Sequence, residues 1–101
     1  MDHSLNVLVC HDAPLMRTGI AAELRGHADL CVTPCEHDAA AALRAGRFDV
    51  VVADYATGLR CAAGRPAASP KVLIVTGQAS ASEIRHAVVN GVQGYLLQDC
   101  A

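Results

Sequence analysis

The 101-residue chain sets eight Lys and Arg against ten Asp and Glu, a formal charge of -2, and so offers no electrostatic footprint for nucleic acid. Apolar residues make up 52%, which excludes a disordered chain, and aromatics only 3%, so Val, Leu and Ala must build a single modest core. The longest apolar run is far too short to span a membrane and no signal peptide opens the sequence, which points to the cytoplasm. The five cysteines, Cys10, Cys31, Cys35, Cys61 and Cys100, fit no disulfide framework and read as reduced thiols.

Asn6 to Cys10 reads as a first strand. Asp12 and Pro14 then look like a helix start, with apolar residues at Leu15, Met16, Ile20, Ala21 and Leu24 and Gly26 as a left-handed stop. Leu30 to Thr33 is a second strand, placed at a sheet edge by Pro34. Asp38 can cap a short helix over Ala39 to Ala45, stopped by Gly46. Asp49 to Asp54 has the strongest strand pattern. Residues 55–70 hold two Gly and two Pro, so a short loop over Tyr55 to Gly58 and a short or irregular third helix, about Leu59 to Ala63, followed by a further loop, are expected. Lys71 to Thr76 is the fourth strand. Ser80 or Ser82 caps a fourth helix to Asn90, with Ile84, Ala87 and Val88 turned inward and Gly91 closing it. Gly94 to Leu97 is the fifth strand.

Strands alternating with helices imply a parallel sheet with right-handed crossovers. Five strands suit the α/β flavodoxin-like order 2-1-3-4-5, whose ligand site lies at the carboxyl ends of the strands. Three apolar strands deliver Asp12, Asp54 and Thr76 to that edge. A helix normally follows the fifth strand, and only four residues remain here. The chain is therefore expected to be one domain, residues 1–101, cut before a C-terminal output domain, with the sheet face beside the first helix covered by a second copy in a homodimer.

Four segments in register carry a family resemblance. They are Val7-Leu8-Val9-Cys10-His11-Asp12-Ala13-Pro14-Leu15-Met16-Arg17-Thr18-Gly19, Phe48-Asp49-Val50-Val51-Val52-Ala53-Asp54, Lys71-Val72-Leu73-Ile74-Val75-Thr76 and Ala87-Val88-Val89-Asn90-Gly91-Val92-Gln93-Gly94-Tyr95-Leu96-Leu97-Gln98-Asp99. Together they resemble the CheY-like receiver domain of two-component response regulators, in particular the NarL/LuxR class. The resemblance implies a regulatory module rather than an enzyme, with Asp54 as phospho-acceptor, Thr76 and Tyr95 as switch residues, a histidine kinase as partner, and DNA bound by a helix-turn-helix output domain outside this chain.

Two pocket positions depart from the pattern. His11 stands where the family's acidic pair has its first carboxylate, and Gln98 stands where it has Lys. Asp12 and Asp54 remain as ligands for Mg²⁺, but that hard ion gains little from imidazole, so binding should be weakened and no other cofactor is expected. Gln98 cannot pair ionically with an aspartyl phosphate. A protonated His11 would neutralise the Asp12/Asp54 pair without metal. The sequence thus points to an atypical receiver of a transcriptional response regulator, with weak or no phosphorylation dependence. A conventional phospho-receiver using Asp54 and a ligand-sensing pseudo-receiver are the alternatives.

Overall fold

The computed structural model describes residues 4–35, 38–63, 70–77 and 80–97. In chain order the elements are β1 (Leu5–Cys10), α1 (Pro14–Arg25), β2 (Leu30–Pro34), α2 (Ala39–Ala45), β3 (Val50–Ala53), α3 (Tyr55–Ala62), β4 (Lys71–Thr76), α4 (Ala81–Val89) and β5 (Gly94–Leu97). All strands are parallel, in the expected order β2-β1-β3-β4-β5. Pro34 ends β2 at the sheet edge, where its missing N–H costs no ladder bond.

The pleat divides the apolar side chains into two cores. Leu8, Cys10, Val51, Ala53, Val72 and Ile74 face α2, α3 and α4 and pack with Cys61 and Ala87. Val7, Val9 and Val52 face the other side and pack with Ala21 of α1. Leu8, Ile74, Val9 and Val51 are fully buried, each contributing about 1.5–3 kcal/mol of transfer free energy. The β-branched runs that signalled strands are therefore the central strands, buried on both faces.

Several local expectations are corrected. Asp12 does not cap α1. The N-cap is Ala13, without a side-chain bond, and Pro14 opens the helix with its preset φ. Gly26 closes α1 at φ -69°, a right-handed rather than a left-handed stop. The third helix is short, but it starts at Tyr55, so residues 55–58 form its first turn and not a loop. In α4, Ala87 is buried, whereas Ile84 and Val88 are 39% and 59% exposed. The reason is that α4 lies toward the β5 edge, where a four-residue strand offers little surface to cover. Ser80 caps α4 with a full capping box to Glu83, and Gly91 follows at φ 98°.

The described residues, which end with β5, carry four helices. On the α1 face lies an open apolar groove of about 390 Å³ lined by Leu15, Met16, Ile20, Leu73, Val75 and Leu96. Among the described residues no helix is long and apolar enough to cross a membrane.

Candidate functional site

Strand register builds the site. Cys10 pairs with Ala53 and Ala53 with Ile74, so the residues that follow, His11, Asp54 and Val75, stand side by side at the carboxyl edge. Asp54 is 8% exposed and His11 6%, while Asp12 turns outward with its side chain 79% exposed.

The Asp54 carboxylate is held on both oxygens. Oδ2 accepts from the Asp12 N–H at 2.8 Å and from the Thr57 hydroxyl at 2.9 Å, and Oδ1 accepts from the Thr57 N–H at 2.8 Å. Asp54 is thereby the N-cap of α3. Arg60, one turn on, donates from Nη2 to Thr57 Oγ1 at 3.3 Å, which extends the network to a guanidinium. Arg17 donates from Nη1 to the His11 carbonyl at 3.1 Å. None of Thr57, Arg60 and Arg17 stood out in the sequence. Asp54-x-x-Thr57 does carry the spacing of an N-cap and its N3 partner, and that signal could have found Thr57 and the helix start together.

His11 spends both ring nitrogens on backbone. Nε2 lies 3.2 Å from the Val75 carbonyl, which can only accept, and Nδ1 receives the Ala13 N–H at 3.2 Å. Both contacts fit a ring that donates from Nε2 and accepts at Nδ1. The Asp12 carboxylate lies 3.5 Å from Nδ1. His11 thus ties β1 to β4 across the end of β3.

Thr76 ends β4 beside Leu97 at the same edge. Tyr95 packs against the α2/α3/α4 core, its ring edge-on to Tyr55 with centroids 6.4 Å apart. Its hydroxyl is buried with no hydrogen-bond partner among the described residues. Burial raises the Tyr95 pKa above the ordinary tyrosine value, with Glu83 and Tyr55 adding to the shift. Gln98 lies outside the described residues.

Ligand atoms of His11, Asp12 and Asp54 all lie within 4.8 Å of one another, so the cluster can hold a cation. It fits Mg²⁺ poorly. One of three donors is an imidazole already bonded to backbone, and Asp54 would share its oxygens with three hydrogen-bond donors.

No family model matches the sequence, and no curated protein does. Among solved structures, the chain is similar to the signal receiver domain of the response regulator NarL from Mycobacterium tuberculosis, with 30% identity and a TM-score of 0.83 over 98% of this chain and 87% of that one. The chain belongs to the response-regulator receiver family. Receiver domains are regulatory rather than catalytic, and in this receiver an atypical His completes the acidic cluster. A response regulator from Burkholderia pseudomallei, solved with a phosphorylated aspartic acid, calcium ion and citrate, is 25% identical, with a TM-score of 0.76 over 97% of the receiver and 62% of that chain. A LuxR-family DNA-binding response regulator from Staphylococcus aureus is 18% identical, with a TM-score of 0.79 over 96% and 88%, and shares the fold.

Proposed function

We propose that this receiver belongs to a transcriptional response regulator of the NarL/LuxR class, and that it controls the activity or dimerisation of a DNA-binding output domain with little or no dependence on phosphorylation. The observation that carries this reading is the state of Asp54. Its carboxylate caps α3 and holds three donors, so attack on a phosphodonor would break bonds that secure the helix start. His11 supports the same reading, because it is bonded to backbone and leaves the pocket without the third carboxylate that would help bind a metal and orient a phosphoryl group. The inward ring of Tyr95 is consistent with a domain that rests in one fixed state.

The receiver is further proposed to work as a homodimer, with the apolar groove beside α1 covered by the second copy. DNA contact would belong to the output domain, and a histidine kinase would be dispensable for the resting activity. One observation favours the conventional reading: the Burkholderia pseudomallei regulator carries a phosphorylated aspartic acid.

Incubation with acetyl phosphate and Mg²⁺, followed by intact mass measurement, separates the two. The expected result is no aspartyl phosphate on the native chain and measurable labelling of the His11→Asp, Gln98→Lys double variant. Stoichiometric labelling of Asp54 in the native chain would overturn the proposal.

A further inference from the structure

Three thiols that the pocket chemistry leaves unused line the cleft that also carries His11, Asp12 and Thr57. Cys10 ends β1, Cys35 follows β2, and Cys61 projects from α3. All three line an open cavity of about 430 Å³ that also borders Leu43 of α2 and Arg60 of α3. Cys10 is 5% exposed and Cys35 is half-buried, and both are free thiols.

Cys10 and Cys35 also lie one residue beyond the last register pair of β1 and β2. The β1/β2 pairing runs from Leu5 with Leu30 to Val9 with Pro34, and the Cys35 N–H continues it with a 2.8 Å bond to the Val9 carbonyl. Continued by one residue, that register sets Cys10 beside Cys35, and paired residues of a parallel sheet project to the same face. Both thiols accordingly pack in the α2/α3/α4 core. Neighbouring strands lie about 4.8 Å apart, within the roughly 4.4–6.8 Å between Cα atoms that a disulfide spans.

We propose that Cys10 and Cys35 form a reversible disulfide when the protein meets a peroxide, making this edge of the receiver an oxidation site independent of Asp54. Cys35, the more exposed thiol, attacks the peroxide as thiolate. The O–O bond breaks, Cys35 becomes a sulfenic acid, and hydroxide leaves and takes up a proton to become water. The Cys10 sulfur then attacks the Cys35 sulfur, and the sulfenic hydroxyl departs with the Cys10 proton as a second water. Two thiols have lost two electrons and one peroxide has been reduced to two waters. Burial raises the Cys10 pKa, with Cys35 and Cys61 adding to the shift, so the first attack falls to Cys35. The bond would fasten the entry to α2 onto β1, next to His11.

The test is to treat the folded protein with hydrogen peroxide, alkylate the remaining thiols under denaturing conditions and map the peptides. The expected result is loss of two alkylatable thiols, a linked Cys10–Cys35 peptide pair and recovery of both thiols with dithiothreitol. Cys61→Ser should leave that pair intact. Cys35→Ser, a one-atom change at a half-buried position, should abolish it. The proposal is overturned if Cys35 stops at the sulfinic acid with Cys10 still alkylatable. It is equally overturned if the linkage runs to Cys31 or Cys61, if no thiol is lost, or if Cys35→Ser still loses two thiols to a linked pair.

Discussion

At the residue scale, Asp54 works at once as pocket carboxylate and as helix cap, and Thr57 joins the two roles. Replacing Thr57 by Val keeps the shape and removes the hydroxyl, leaving Asp54 Oδ2 one donor short in a buried site. The expected cost is about 1–2 kcal/mol, read from urea unfolding. Tyr95→Phe should go the other way, by about 1 kcal/mol at neutral pH, since it removes a buried hydroxyl that finds no partner among the described residues. The same hydroxyl sets an alkaline limit. Below the ordinary tyrosine value of 10.0 the folded and unfolded chains both keep its proton. Above it the unfolded chain ionises first, so stability falls as pH rises toward the higher folded value. Urea midpoints across this range should fall more steeply for the native protein than for Tyr95→Phe, and equal slopes would refute the assignment. Asp54, Asp12 and Thr76 were legible in the sequence because apolar strands deliver them to one edge. The bonds of His11 were not, because they depend on the Val75 carbonyl two strands away.

At the scale of elements, α3 holds the largest departure from what the sequence suggests. A Gly and a β-branched Thr within residues 55–58 argue for a loop by propensity, yet the Asp54 cap starts a helix there. Gly58 has a packing reason as well: a Cβ at that position would lie 2.5 Å from Ile74 Cγ1, and Ile74 is fully buried. Gly58→Ala should therefore destabilise the domain although it raises helix propensity. The gain of about 1 kcal/mol is outweighed by an overpacking cost of about 1–3 kcal/mol. A lower thermal midpoint for Gly58→Ala is the expected reading, and a higher one would show that Ile74 yields. The capping box of α4 gives a second measure: Ser80→Ala should cost about 1 kcal/mol in the same assay. The strands and α2 were readable because β-branched runs, Asp38 and the Gly stops all agree locally. The burial of α4 was not, since Ile84 and Val88 have helical spacing whether or not a sheet lies beneath them.

At the scale of the whole molecule, the sheet is covered unevenly. Among the described residues three helices share one face, and α1 alone lies on the other, beside the apolar groove. Leu15 rises from the rim of that groove at 88% exposure and Leu96 sits across it at 48%. If a second copy covers the groove, Leu15→Glu and Leu96→Glu should each halve the mass seen by light scattering while circular dichroism stays unchanged. A native chain that is monomeric at micromolar concentration would remove the dimer.

The weakest-held helix lies elsewhere. α2 has seven residues, buries none of them and spans the cavity that separates it from β1 and α3. Its amides should exchange with deuterium through brief local opening, at a free-energy cost well below that of global unfolding, while those of β1 and β3 wait for the whole domain to unfold. Molecules too large for the static cleft would therefore reach its floor at a rate set by how often α2 lifts.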